Sequence, residues 1–503
     1  MLRYLIIFFT VGCFKTAYCQ FIYLKQDSVS NYFFSLCEEK GSDNLLLSNT
    51  SGTYVASSGY INYKGEILRV DKNGLLLNSI PATKNSFFSG SLINVGNFYY
   101  TFVIRCNGNN FSSISFIPEI TKYDLNFNLV TKAQLDSSYI NPVSVTQHII
   151  QKNGSLYFGY TVQNDNRIAI YKTDLNLNKK DSMKFNGAML MDISNYGDKI
   201  IISGNGFPSG SLTGNNQVVV LDTILNVISR FNLDSLSYVN PGCSSKIGLT
   251  YYYANLHEVS PKRYIVGGYY DVVYNSSCNT DMQYIEAVID QNQTVIKTNV
   301  FGKQNGTDEI FGYSSGDMKY GYVYNTGMSG YNNTNPAPPQ NNATEIMVSK
   351  TDTLGNLKWI NYYNTPNYYY YPMGIYGTRD SGAVICGMRY NLAAPTITNS
   401  CEGFVMKVDV GGVQQYLGIM DYKGFNIGEI SSYPNPAHNE IYFNLVKQKN
   451  AQIIICDITG KQLMFIQDYK YNDAINISKL QAGIYFYKVL GEESNSRGKF
   501  IKQ

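Results

Sequence analysis

One pattern recurs along this chain and restricts its fold more than any other feature: an apolar strand ending in aspartate, a polar turn, and a second strand. The copies are EILRVDKNGLLLNSI (66–80), EITKYDLNFNLVTKAQL (119–135), IAIYKTDLNLNKKDSMKF (168–185) and VVVLDTILNVISRFNL (218–233). They continue with EAVIDQNQTVIKTNVF (286–301), EIMVSKTDTLGNLKWINYY (345–363) and GFVMKVDVGGVQQYLG (403–418). The anchoring acids Asp71, Asp124, Asp174, Asp222, Asp290, Asp352 and Asp409 stand roughly 48 to 68 residues apart, the period of a four-stranded repeat. A second hairpin precedes each copy, as in HIIQKNGSLYFGYTV before IAIYKTD. Each unit therefore reads strand, turn, strand, loop, strand, Asp turn, strand. Runs such as Ile346-Met-Val and Phe404-Val-Met are apolar at consecutive positions, so both faces of those strands expect cover.

Strands covered on both faces by neighbouring four-stranded units predict an all-β chain whose residues 20–425 form a seven-bladed β-propeller. Six or eight blades stay open, because repeat one is degenerate and QFIYLKQ (20–26) can act as a closing strand. Composition agrees: 45 Tyr favour strands, and 43 Gly with abundant Asn favour tight turns. From Ile430 onward the text changes to short alternating strands separated by Gly-containing turns, after the linker DYKGFNIG (421–428). Residues 426–503 are expected to form a small Ig-like antiparallel β-sandwich.

That terminal segment resembles the type A sorting domain of type IX secretion substrates in the Bacteroidetes. The resemblance rests on Tyr433-Pro434-Asn435-Pro436-Ala437, the turn Asp457-Ile-Thr-Gly460-Lys461, Leu480-Gln-Ala-Gly483-Ile-Tyr485, and the closing Gly498-Lys499-Phe-Ile-Lys502. It implies two partners, the type IX translocon and its sorting-domain peptidase. The repeats resemble the K-x-D-x-x-G-x-x-x-W propeller repeats of secreted Bacteroidetes proteins, best at Lys350, Asp352, Gly355 and Trp359. Val220 and Val288 depart from that pattern, and only one Trp is present. This second resemblance implies a propeller and no particular activity.

Export is also written at the other end. Arg3, the apolar run Leu5 to Val11, and Ala17 three residues before a cut between Cys19 and Gln20 have the order of a secretory signal peptide, residues 1–19. A lipoprotein site at Cys13 ranks second, since Thr10 stands where Leu is usual. No later stretch is long and apolar enough to span a membrane, so no transmembrane segment is expected. A net charge of +3 marks no nucleic-acid binder.

The repeated Asp residues are read as turn formers that bond their own backbone, not as calcium ligands. Arg69, Lys122, Lys172, Lys350 and Lys407 stand two positions earlier on the same strand side, where pairing with the Asp is expected. A ligand site is expected where the variable loops between second and third strands emerge, together with the blade connectors. The candidate stacking residues are Tyr251, Tyr253, Tyr269, Tyr270, Tyr368 and Tyr370. The sequence shows no positioned pair of carboxylates and no nucleophile motif. The leading reading is therefore a secreted or surface protein that binds an extracellular carbohydrate or protein ligand without catalysis. The alternative is a propeller hydrolase or lyase acting on extracellular polysaccharide, and a third is a scaffold without ligand. The three His are scattered and there is no CxxC pair, so no metal or other cofactor is expected. Bridges are expected for Cys386 with Cys401 and Cys243 with Cys278, with Cys37 and Cys106 paired by remainder.

Overall fold

A computed structural model of the chain describes residues 17–18, 23–25, 30–55, 60–71, 76–81, 86–107, 115–135, 148–162, 167–187, 189–207, 215–232, 252–273, 280–292, 294–302, 308–331, 343–365, 367–392, 401–413, 432–443, 450–457, 462–470, 473–491 and 495–503. The chain divides between Gln415 and Tyr416 into two compact units. The sequence boundary was read at 425/426, and residues 414–431 lie outside the described residues.

The first unit is all-β among its described residues. Its strands are β1 (Ala17–Tyr18), β2 (Tyr23–Lys25), β3 (Ser30–Glu38), β4 (Leu45–Val55), β5 (Tyr60–Val70) and β6 (Leu76–Pro81), then β7 (Ser86–Val95), β8 (Phe98–Asn107), β9 (Ser115–Asp124) and β10 (Leu129–Gln134). They continue with β11 (His148–Lys152), β12 (Ser155–Val162), β13 (Arg167–Asp174) and β14 (Lys179–Asn186), then β15 (Met189–Tyr196), β16 (Lys199–Phe207), β17 (Asn215–Leu221) and β18 (Val227–Asn232). The last are β19 (Tyr252–Ser260), β20 (Arg263–Val273), β21 (Thr280–Asp290), β22 (Val295–Phe301), β23 (Asp308–Lys319), β24 (Tyr322–Tyr331), β25 (Glu345–Asp352), β26 (Leu357–Asn364), β27 (Tyr368–Gly377), β28 (Ala383–Asn391) and β29 (Glu402–Val408).

Five sheets are four-stranded antiparallel meanders: β3-β4-β5-β6, β7 to β10, β11 to β14, β15 to β18 and β19 to β22. A larger sheet holds two more groups of that size, β23-β24-β25-β26 and β27-β28-β29-β2, bridged by one parallel pair between Ser314 and Gly374. Sheets of this size fit propeller blades. In the last group the outermost strand is β2 from the N-terminal segment, with Tyr23 opposite Val405 and Lys25 opposite Gly403. First strands pack on first strands: β3 on β7, β7 on β11, β11 on β15, β15 on β19, β19 on β23, β23 on β27 and β27 on β3.

The core lies between groups rather than in one central mass. Tyr100, Phe102, Leu156, Phe158 and Tyr160 form one buried cluster, shared by the second and third groups. Tyr157, Ile170, Ile202 and Val219 form another, shared by the third and fourth. This is why third strands such as Ile168-Ala-Ile-Tyr171 are buried at consecutive positions.

The Asp turns explain the repeat. One carboxylate oxygen of Asp124, Asp174, Asp222, Asp290, Asp352 and Asp409 accepts from the amides two and four residues ahead, at 2.8–3.0 Å. At four of them the side-chain amide of Asn128, Asn178, Asn226 or Asn356 donates to the other oxygen. At Asp174 these bonds, led by the Asn178 side chain, hold the carboxyl down at about 2. The third residue after the Asp takes positive φ: Phe127, Leu177, Leu225, Gly355 and Gly412, at 63° to 76°. A bulge follows in the same hairpin. A branched or aromatic residue is costly at such φ. Burial offsets that cost, since Leu177 and Leu225 are 5% exposed and Phe127 stacks on Tyr99 at 5.0 Å.

The basic residues do not pair with their own Asp, as the sequence reading expected. Lys122 Nζ donates to Leu175 O at 2.8 Å and Lys172 Nζ to Thr223 O at 2.7 Å, while Lys350 Nζ donates to Ser381 O at 2.7 Å and also reaches Val410 O at 3.4 Å. Leu175, Thr223 and Val410 are each the residue after the Asp of the next group's turn. The own Asp is held by its turn amides, and at Asp174 and Asp352 the fourth strand supplies its cation, Lys180 or Lys358, whereas the neighbour's turn presents an outward carbonyl. Tyr100, Tyr157 and Trp359 donate to those same three carbonyls at 2.8–2.9 Å. Arg69 and Lys407 differ, pairing with Glu39 and Asp380. Where Val288 replaces the lysine, it fills the space under Gly355; a Cβ there would lie 2.3 Å from Val288 Cγ2.

The joint around Val288 also holds a buried acid. Glu286 is fully buried and accepts from Asn299 at 3.2 Å and Asn325 at 2.9 Å. Burial pushes its carboxyl up to about 7, against the pull of those hydrogen bonds and of Lys297.

Cys37 and Cys386 are buried free thiols and Cys401 is buried, which corrects two expected bridges. Cys386 stands opposite Val405, while the strand register carries Cys401 to the level of Tyr390. Four residues of extended chain separate those levels by about 13 Å, far beyond bridging range. Burial raises the Cys37 thiol to about 12 and pushes Cys386 higher still. Cys243 and Cys278 lie outside the described residues.

The second unit contains β30 (Ser432–Tyr433), β31 (Glu440–Phe443), β32 (Asn450–Cys456), β33 (Gln462–Lys470), β34 (Ile475–Asn476), β35 (Gly483–Gly491) and β36 (Asn495–Lys502). They form the sheets β30-β31-β34 and β33-β32-β35-β36. Ile441, Phe443, Ile453, Ile455, Tyr487 and Phe500 make its core, contributed by both sheets as in a sandwich.

Three outcomes follow from these contacts. Asp352→Ala and Lys350→Met should each lower unfolding stability in urea by about 1–3 kcal/mol, whereas Lys64→Met at an exposed position should stay within about 0.5 kcal/mol. Folded Glu286 keeps a proton that the unfolded chain, near 4.5, releases. Stability should therefore fall as pH rises from 4.5 through 7, by on the order of 3 kcal/mol relative to Glu286→Gln. Thiol alkylation followed by mass spectrometry should label Cys37 and Cys386 only after denaturation, without prior reduction.

Candidate functional site

In the four-stranded groups whose turns are described, the turns from first to second and from third to fourth strand lie at one end, and the second and third strands run on to the other. The tight-turn end is committed to joining groups. Besides the Asp turns, Lys40 Nζ donates to Gly96 O at 2.6 Å, Lys152 Nζ to Gly197 O at 2.5 Å, and Gly377 N to Asp317 at 2.8 Å.

At the opposite end the segments 108–114, 208–214, 274–279, 332–342 and 393–400 lie outside the described residues, as does Tyr251. The strand ends that carry them are described. Tyr269 and Tyr270 stand opposite Tyr284 and Gln283 on β21, and Tyr253 lies on β19 beside the register shift between Tyr252 and Asn255. The side chains of Tyr253, Tyr269 and Tyr270 lie outside the described residues.

The best-defined constellation is at the loop end of the last group. Arg389 lies two residues before the end of β28, Glu402 opens β29, and the two are directly opposite. Their side chains meet at 2.6 Å, with Arg389 only 4% exposed. The Tyr368 ring lies 4.2 Å from the Arg389 guanidinium carbon. Tyr368 is half-buried and sits 6.1 Å, ring to ring, from Tyr370. Tyr370 itself is fully buried, edge-on to Phe404 at 5.9 Å. That corrects its reading as a contact surface: alternate positions on β27 share a face, but only the position nearest the strand end reaches past the core. Glu402 fixes the guanidinium plane, and the guanidinium in turn supports the aromatic ring. Such a ring can stack on a sugar or a planar ligand group, with Arg389, buried and compensated by Glu402, as its support.

The second group holds a related, diagonal ion pair. Arg105 Nε meets Glu119 at 2.8 Å, and Arg105 also reaches Gln134 at 3.3 Å. The sequence reading passed over both pairs. Their signal was available for the last group, since Arg389 and Glu402 flank the same loop whose ends were assigned to cysteines. Among the described residues no cluster of three His, Cys, Asp or Glu could hold a metal.

The signature of the terminal segment resolves into one structure. Asn435 Nδ2 donates to Lys499 O at 3.2 Å, and its Oδ1 accepts from Ile501 N at 2.9 Å. Ala437 N donates to Ile501 O at 2.7 Å, and Gln503 N to Ala437 O at 2.8 Å. The Tyr433–Ala437 stretch thus fastens the last strand, β36. Tyr433 stacks on Tyr442 at 5.6 Å, while Pro434 and Pro436 each follow a cis peptide. Gly483 opens β35 opposite Lys502, which is 8% exposed. Gly460 lies outside the described residues.

No curated protein matches the chain. Solved structures similar to it include a Penicillium chrysogenum alpha-L-arabinanase complexed with arabinobiose (9% identity, 78% of this chain and 97% of that one, TM-score 0.37). A Pyrococcus horikoshii acylaminoacyl peptidase (11%, 84% and 59%, 0.42) and a protein of unknown function from Bacteroides caccae (10%, 54% and 82%, 0.34) are others. Likenesses this remote bring no activity to this chain. No helix of the described residues is long and apolar enough to cross a membrane. Residues 431–503 match the family described as "Secretion system C-terminal sorting domain". That match supports a type IX secretion substrate, exported to the cell surface or secreted.

Proposed function

We propose that residues 20–425 form a closed seven-bladed β-propeller that binds an extracellular carbohydrate or protein ligand without catalysis, and that the type IX translocon exports it by its tail. In this reading the signal peptide, residues 1–19, is removed first. Packing of β27 on β3 supports closure, as do the Cys386 Sγ contact with Phe33 O at 3.6 Å and the fit of Gly403 against the Phe33 ring. The N-terminal strand β2 completes the seventh blade, which matches QFIYLKQ as a closing strand.

The observation that carries the binding reading is the Tyr368–Arg389–Glu402 constellation at the loop end, an aromatic ring held beside an oriented cation. Export rests on the sorting-domain match, with the sorting-domain peptidase as the further expected partner.

Two measurements test the parts separately. Removing residues 430–503 should leave a folded propeller retained in the cell envelope of a type IX-competent host; appearance in the medium would contradict the export reading. On a glycan array the mature protein should retain a bound class of saccharide, and Tyr368→Ala should weaken it by about 1–3 kcal/mol. Release of shortened oligosaccharides would favour the hydrolase or lyase alternative, and binding neither to the array nor to an extracellular protein panel would favour the scaffold.

A further inference from the structure

The terminal signature carries more than its own fold requires. Phe500 is fully buried, Tyr485 and Tyr487 are 7% exposed and Lys502 is 8% exposed, so these positions serve the sandwich core. The residues alternating with them face outward. Ile484 is 46% and Ile501 44% exposed, and they stand directly opposite one another. Phe486 is half-buried opposite exposed Lys499. The same sheet adds Phe465 at 50% and Leu463 at 40% exposure. Folding alone gains nothing from large apolar side chains left in water, and such a patch marks an interaction surface.

The edge nearest this patch is not open to an incoming strand. Along its C-terminal end, β36 is already bonded by Asn435 and Ala437, so an incoming strand finds those groups taken. At this end of the sheet the face is what remains for recognition.

We propose that this outward face, centred on Ile484, Ile501 and Lys499, docks a protein of the secretion machinery through an apolar patch bearing a carboxylate opposite Lys499. The proposal rests on the sorting-domain reading of residues 431–503 and names the surface that reading leaves open. A basic residue amid apolar ones fixes register on an apolar partner and selects for an acidic group. The clamp from Asn435 makes it a positioning residue, because it holds the strand that presents Lys499 and Ile501.

The test uses the full chain in a type IX-competent host. The double variant Lys499→Glu/Ile501→Gln should lose export roughly tenfold or more, as removal of a central anchor predicts, with its melting temperature unchanged. Leu77→Gln, an exposed apolar position in the first unit, should export normally. A chain lacking residues 432–503 separates the two readings. If that chain also reaches the medium, the sorting reading itself fails. If it is retained while the double variant is exported like the parent, the docking face is wrong. A parent dimer that becomes monomeric in the double variant, with export intact, would assign the face to a second copy instead and overturn the proposal.

Discussion

The first unit depends on one interaction repeated along the chain: a turn closed by its own aspartate, whose outward carbonyl is gripped by the preceding group. The turn must be rigid for that carbonyl to be a fixed target. Two backbone amides on one carboxylate oxygen provide the rigidity, at Asp174 and Asp352 alike. The grip combines a lysine with a tyrosine or tryptophan hydroxyl or indole donor, as at Leu175 O and Val410 O. Each group is thus completed by its neighbour, which is the physical sense of a repeat array.

This arrangement divides the labour between the two ends. Several of the described tight turns join neighbouring groups, so variation at them would cost the scaffold. The opposite end carries the long segments, and its described anchor is the Arg389–Glu402 pair with Tyr368 above it. Rigid elements that hold variable loops are a common basis for recognition. The second unit follows similar logic on a smaller scale. Its signature residues alternate between core, as Phe500, and water, as Lys499 and Ile501.

Much of this was legible in the text of the chain. The Asp period, the strand pattern and the turn role of Asp124 or Asp409 follow from local chemistry, and local chemistry is what a sequence displays. The terminal sorting signature was equally plain because its residues are ordered and close together. What was not legible depended on register and on neighbours. Lys122 was expected to meet Asp124, two positions away, yet it reaches Leu175 in the next group. Cys386 and Cys401 flank a loop as bridge partners would, yet register places Arg389 opposite Glu402 and leaves both thiols unpaired with each other. Tyr370 differs from Tyr368 only by two positions along one strand, enough to bury it.

A double-mutant cycle on Lys122 and Asp174 tests the inter-group grip most directly. The two side chains do not bond each other; they are linked only through the turn whose Leu175 carbonyl one of them grips and the other orders. If the grip needs an ordered turn, Lys122→Met and Asp174→Ala together should cost less in urea unfolding than their separate costs combined, by roughly 0.5 kcal/mol or more. Strict additivity would mean that each group folds its turn without reference to its neighbour, and would contradict the account.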